Sequence, residues 1–344
     1  MTPALNVPTL ETAYFNGYDA FSSLSIHGIS TSGRALNMTR AESFPANRTS
    51  CIEEECSTEK EGWDALPLPE GKSHLEIEII GEQLGHGRIS ATYAARLHQI
   101  LNRPGGSPLP CSSPGLPQEF CIKVAKPQFF RSLAREAWFY EQLAGLQGSV
   151  TPRCFGFFVA PLPEGVSWLD AWGDIESCKS ESSQDEDSDE DSESCLPDSL
   201  DDEYQPWLFH EDGRQSKSSS RWNDWRQSLE SPLVGVLLLE LGSQLERRFE
   251  SPAYFTEQEK RDLADLFDDL ASVGIIHADF KFNNILHVTR PDAVICPRHC
   301  RVHHWQFIDF DRARKWGKSI AIDDDFYTES ERRNLKDAQY FWCV

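Results

Sequence analysis

The chain of 344 residues carries 55 Asp and Glu against 33 Lys and Arg, a formal net charge of −22 that argues against a nucleic-acid surface, which needs dense cation. Ten cysteines and no basic start followed by an apolar run favour reduced thiols, so an intracellular location, cytoplasmic or nuclear, is expected. The longest apolar stretch, Leu233 to Leu239, is too short to span a bilayer, so no membrane partner is expected either.

Residues 1–70 are rich in Ser, Thr, Pro, Asn and Gly without a sustained period, and a disordered N-terminal tail is expected there. From His74 the pattern changes. Leu75, Ile77 and Ile79 alternate with polar residues as in a half-buried strand, and Gly85-His86-Gly87 separates it from a second strand-like run, Ala91 to Leu97. Asn102 to Pro117 is a loop by its Pro and Gly content, Glu119 to Ala125 a strand, Arg131 to Leu146 a helix and Cys154 to Ala160 a strand. Between Glu176 and Glu203 thirteen acidic residues face the single Lys179, a local net of −12 that leaves −10 for the rest of the chain. Such a segment buries little apolar area, and a disordered insertion over 174–205 is expected, its serines open to acid-directed phosphorylation. Leu233 to Leu239 fits a central strand. Thr256-Glu257-Gln258-Glu259 is a capping box, and Leu263, Leu266, Phe267 and Leu270 form the buried stripe of the helix it opens. A second capping box, Thr328 to Glu331, predicts a short last helix.

The chemistry concentrates after the capped helix. Asp279, Lys281 and Asn284 place a carboxylate, an ammonium and an amide within six residues, and Phe307-Ile308-Asp309-Phe310-Asp311 adds a second carboxylate on a short apolar strand. Transfer of a phosphoryl group from a metal nucleotide needs such a set: a carboxylate to orient the acceptor hydroxyl, a cation for the migrating charge and oxygens for Mg²⁺. Upstream, Glu136 shares a helix face with Leu133, Tyr140 and Leu143. A carboxylate on an apolar stripe calls for a buried cation, and Lys123, set in the apolar run Phe120 to Val124, is the obvious one. Cys296, His299, Cys300, His303 and His304 form a set with zinc-ligand chemistry, although the residues are crowded and a strand hairpin with incidental His and Cys is the plainer reading.

His277-Ala278-Asp279-Phe280-Lys281-Phe282-Asn283-Asn284 with Ile308-Asp309-Phe310 resembles the H-R-D-x-K-x-x-N loop and D-F-G partner of protein kinases. In the same order Leu84-Gly85-His86-Gly87 resembles a phosphate-covering loop, Phe120-Cys121-Ile122-Lys123 the V-A-I-K strand, and Glu240-Leu241-Gly242 an interlobe hinge. The chain is most similar to small fungal protein-kinase-like proteins with an abbreviated C-lobe.

The resemblance implies an α+β, bilobal protein-kinase-like fold: an antiparallel-sheet N-lobe over 74–241 and a reduced, mainly helical C-lobe over 242–344. It implies ATP and Mg²⁺ as cofactors. Asp279 would orient the acceptor hydroxyl, Lys281 neutralise the transferred phosphoryl, and Asn284 and Asp309 ligate Mg²⁺. Gly85, Gly87, Lys123 and Glu136 would hold the phosphates, and the backbone of Glu240 and Leu241 the adenine. His277 is expected to be structural.

Departures from the family pattern matter too. Ser90 stands for the third glycine, Ala278 for the loop arginine and Asp311 for the glycine of D-F-G. Only 35 residues follow Asp309 and no A-P-E motif is among them, so the C-lobe is expected to lack the usual peptide platform. The expected activity is a monomeric phosphotransferase acting on protein Ser or Thr, which Lys281 favours. A small-molecule kinase of the aminoglycoside or choline phosphotransferase type, which often has an acid where Asp311 stands, is the first alternative. A non-catalytic binding module is the second.

Overall fold

The computed structural model describes residues 20–29, 33–44, 48–49, 68, 73–87, 89–109, 116–126, 129–161, 210–211, 233–242, 256–277, 279–280, 282–288 and 294–315. In chain order the strands are β1 (Phe21–His27), β2 (Leu36–Arg40), β3 (Arg48–Thr49), β4 (Ser73–His86), β5 (Ser90–Leu101), β6 (Glu119–Ala125), β7 (Cys154–Pro161), β8 (His210–Glu211), β9 (Leu233–Glu240), β10 (Ile275–Ile276), β11 (Ile285–His287), β12 (Trp305–Phe307) and β13 (Arg314–Lys315). Helix α1 (Phe130–Gln142) lies between β6 and β7, and α2 (Glu257–Ser272) follows β9.

Seven strands close into a barrel in the order β1-β2-β7-β9-β6-β5-β4, every neighbouring pair antiparallel except β1 and β4, whose parallel pairing closes the ring. The two-residue periodicity of strands explains the architecture. On β6, Phe120, Ile122 and Val124 point into the barrel core with Leu24, Ile77 and Phe155. Cys121 and Ala125 face the other way, into a second core shared with α1, α2 and Phe307. On β9, Val234, Val236 and Leu238 fill the barrel while Leu237 and Leu239 join the outer core. Both faces of this strand are covered, which is why Leu233 to Leu239 reads as a continuous apolar run rather than an alternation.

Helix α1 is buried on nearly its whole surface, from Phe130 to Glu141. Helix α2 begins at the expected capping box: the Glu259 N–H donates to Thr256 Oγ1 at 3.3 Å and the Thr256 N–H donates to Glu259 Oε2 at 2.7 Å.

Two expectations are corrected. The bilobal kinase-like fold with a mainly helical second lobe is not what the chain forms. Its described residues are mostly strands, with a closed seven-strand barrel and only two α-helices. Beyond α2, the segments at 275–276, 285–287, 305–307 and 314–315 pair as short antiparallel strands instead of continuing as helices. The N-terminal region is likewise not structureless throughout, because 21–27 and 36–40 supply two of the barrel strands. The serines of 21–27 mislead. Ser23 and Ser25 are buried and satisfied by His74 on β4, with oxygen-to-nitrogen distances of 2.8 and 2.9 Å. The acidic tract at 174–205 and the capping box at Thr328 lie outside the described residues. Among the described residues no helix is long and apolar enough to cross a membrane.

Candidate functional site

Lys123 stands on the outer face of β6, in parity with Cys121, and so meets α1 rather than the barrel interior. Its Nζ donates to both Glu136 oxygens at 2.8 and 2.7 Å and to Asp309 Oδ1 at 2.7 Å. Glu136 is fully buried, the Lys123 side chain 10% exposed and the Asp309 side chain 33% exposed, so the triad runs from the core toward solvent. Burial alone would lower the lysine pKa, but Asp309 and then Glu136 outweigh it and hold Nζ charged above its ordinary 10.5. Burial pushes the Glu136 carboxyl up to about 7, with Lys123 opposing and Asp309 adding to the rise. The ammonium centred on both Glu136 oxygens is the geometry of an ion pair.

Asp309 belongs to a second group. Its carboxylate and those of Asp279 and Asp311 offer oxygens within 4.8 Å of one another. Asn284 joins them: Nδ2 donates to the Asp279 carbonyl oxygen at 2.8 Å and lies 3.4 Å from its carboxylate, leaving Oδ1 as the atom with ligand character. Three carboxylates and an amide oxygen are hard donors, the set that suits Mg²⁺. Arg312 Nη1 lies 4.0 Å from Asp279 Oδ1 and offsets part of this negative charge.

The backbone that carries the acids is held from several sides. His277 is buried, its Nε2 donates to the Ile308 carbonyl oxygen at 2.8 Å, and burial lowers its pKa. This is the structural role the sequence implied. Phe310 is fully buried against Tyr140 and His277, with ring centroids 5.4 and 4.9 Å apart. Arg135 Nη2 donates to the Asp311 carbonyl oxygen at 2.5 Å, fastening the loop to α1. Asp309 itself has φ of +69°, the left-handed conformation that Asp tolerates at some cost. The loss of glycine at 311 therefore carries no penalty: the turn places its left-handed residue at Asp309, not at Asp311.

The remaining expected residues fall elsewhere or outside view. Lys281 is outside the described residues. Gly85 and Gly87 sit in the exposed β4–β5 hairpin. Gly85 pairs with Thr92, which pairs with Lys123, so the hairpin and the lysine share a rung of the sheet. A Cβ at Gly85 would meet nothing within 4 Å, so no neighbouring side chain requires glycine there.

Glu240 is buried and its side chain is engaged by Arg153. Its N–H donates to the Arg153 carbonyl oxygen at 2.8 Å, so that donor is not free for an adenine. It lies three rungs from Lys123, roughly 10 Å along the strand. Leu241 is half-buried, and Gly242 passes against Leu286, two residues beyond Asn284.

Sequence reasoning missed Arg135, Arg312 and the inclusion of Asp311 among the acids. Only for Asp311 was there a signal, its two-residue spacing from Asp309. No family model matches the chain, and no curated protein matches it.

Proposed function

We propose that this site transfers the terminal phosphoryl group of ATP, with Mg²⁺, to the hydroxyl of a protein Ser or Thr. The observation that carries the reading is the bridging of Lys123 between buried Glu136 and Asp309, with Asp309 sharing an acidic cluster with Asp279 and Asp311. Lys123 and Arg312 stand beside the three aspartates, and the clustered hard oxygens suit a divalent cation as well.

Bound Mg²⁺ would supply charge neutralisation and orientation of the phosphates. Asp309 and Asn284 Oδ1 are the groups to hold it. Lys123, positioned by Glu136, binds phosphate oxygens. Asp279, tied to Asn284, orients the acceptor hydroxyl and receives its proton. Asp311 favours a second reading, a small-molecule acceptor, because the same cluster includes its carboxylate.

Mg²⁺ and ATP together are expected to raise the melting temperature, an effect EDTA removes; a ligand at a hundredfold over its Kd adds about 2.7 kcal/mol. No shift would indicate a module that does not take up the nucleotide. Asp279→Ala is expected to retain the shift and lose transfer by at least about a hundredfold. Wild-type turnover in that variant would overturn its role. Labelled ATP offered with a protein lysate and, separately, with a metabolite extract distinguishes the two acceptors.

A further inference from the structure

Helix α2 carries Asp262, Asp265, Asp268 and Asp269, facing the turn at 294–304 that the phosphotransferase reading does not use. In that turn the Cys296 N–H donates to Arg301 O at 2.8 Å, the Cys300 N–H donates to Cys296 O at 2.9 Å, and Ile295 bridges Val302. The reversal, with Cys300 at φ of +52°, brings residues from both arms against the last turns of α2.

Three side chains converge there on one oxygen. Asp269 Oδ2 lies 3.2 Å from Cys296 Sγ, 3.2 Å from His299 Nδ1 and 3.0 Å from His303 Nε2, and Cys296 Sγ lies 3.6 Å from His299 Nδ1. A single carboxylate oxygen has two lone-pair directions, so three donors on it are one too many. Asp269, Cys296 and His303 are fully or almost fully buried and His299 is 20% exposed.

We propose that Asp269 Oδ2, Cys296 Sγ, His299 Nδ1 and His303 Nε2 are the four ligands of a structural zinc ion. All four donor atoms lie within 4.8 Å of one another. Tetrahedral zinc, with bonds of about 2.0–2.3 Å to N, O and S, has donor–donor edges of roughly 3.3–3.6 Å. Four of the six donor–donor distances lie at 3.0–3.6 Å and need only a few tenths of an ångström of adjustment about a central ion. One thiolate, two imidazoles and a carboxylate suit zinc rather than the all-oxygen cations.

The surroundings are those of a metal-ligating histidine. His303 Nδ1 faces Asp262 Oδ1 at 3.0 Å, and Asp262 Oδ2 accepts the His304 N–H at 2.8 Å. The second carboxylate thereby fixes the tautomer that leaves Nε2 for the metal. Asp262 and Asp269 are seven residues apart, two turns of α2, so one helix face supplies both ligand and orienting group. His299 Nε2 lies 3.8 and 3.9 Å from Asp265 and Asp268. Arg298 and Arg301 serve the other three carboxylates at close range, whereas the nearest arginine nitrogen to Asp269 is at 3.5 Å.

Binding releases the Cys296 thiol proton and any imidazole proton to solvent. Cys300 is exposed and His304 stacks near His287, so neither belongs to the ligand set. The ion would clip the 294–304 turn to α2 directly ahead of β12, the strand that leads to Asp309. The proposal does not depend on the phosphotransferase reading.

The test uses the full chain, stripped of metal and titrated with Co²⁺. The expected result is a thiolate-to-cobalt charge-transfer band with intense visible absorption of a tetrahedral ion, saturating at one equivalent and removed by Zn²⁺. Cys296→Ser is expected to lose the charge-transfer band and Cys300→Ser to keep it. Asp262→Asn is expected to keep the spectrum while weakening affinity about 10- to 100-fold. If Cys296→Ser does not fold, His299→Gln at the partly exposed edge carries the same test through at least a tenfold weakening of Co²⁺ affinity. Absence of a tetrahedral cobalt spectrum in the wild type, or wild-type affinity in Cys296→Ser or His299→Gln, would overturn the site and leave a metal-free ion-pair network.

Discussion

Lys123 serves two carboxylates at once, and the two have different environments: Glu136 is sealed in the outer core while Asp309 opens toward solvent. Replacing the lysine with methionine leaves Glu136 buried without its cation. Removing one partner of a buried ion pair costs about 3–5 kcal/mol, whereas replacing both with apolar groups is often nearly neutral. Lys123→Met is therefore expected to lower the urea midpoint strongly, and Lys123→Met with Glu136→Leu to recover most of the loss. A single variant as stable as the wild type would show that the carboxylate is not held in the buried position described. The pairing itself was legible in the sequence, because a glutamate among Leu133, Tyr140 and Leu143 on one helix face has no other reason to be buried. Arg135 was not legible. It occupies the same helix, and nothing local to it signals that its guanidinium reaches the backbone of residue 311.

At the scale of elements, β1 and β4 are joined through His74, which lies 2% exposed between Ser23 and Ser25. Burial lowers its pKa from the ordinary 6.5, with Glu76 opposing. A histidine that resists protonation when folded, and accepts it freely when unfolded, takes stability away as pH falls below 6.5 toward the folded value. His74→Gln keeps hydrogen-bonding capacity without titrating. Between about pH 7 and about pH 5 the wild type is expected to lose more stability than this variant, read as the difference in urea midpoints. Equal losses would show that His74 is not the titrating group. Element boundaries were most legible where a few neighbouring residues set them. The capping box at Thr256 needs four residues and no tertiary partner, and it forms as read. Strand β1 failed that test because its period is blurred by buried serines whose partner lies 49 and 51 residues away.

For the whole molecule, the consequence of barrel closure is that the N-terminal strands are part of the core. Leu24, Ile26, Leu36 and Met38 are each at most 4% exposed. At about 2 kcal/mol per buried side chain, these four contribute roughly 8 kcal/mol, comparable to the whole stability of a typical domain. Deleting residues 1–44 would also leave β4 and β7 as open edges. The deletion is expected to abolish cooperative thermal unfolding and raise dye binding to exposed apolar surface. A soluble, cooperatively folding product would show that the five remaining strands stand alone.

Sequence alone determined what depends on short spacing. It identified the apolar strands, the capped helix, the Lys123–Glu136 pair and the run of acid and amide from Asp279 to Asn284, because period, caps and an isolated buried charge are written in adjacent residues. Tertiary structure decided the rest. It closed a barrel with a parallel β1–β4 pair, set the left-handed turn at Asp309, drew Asp311 into the acids and brought Asp269 to Cys296, His299 and His303. Each of these joins segments distant in the chain, and their partners are chosen by which apolar faces can be covered together, a property no local window of residues contains.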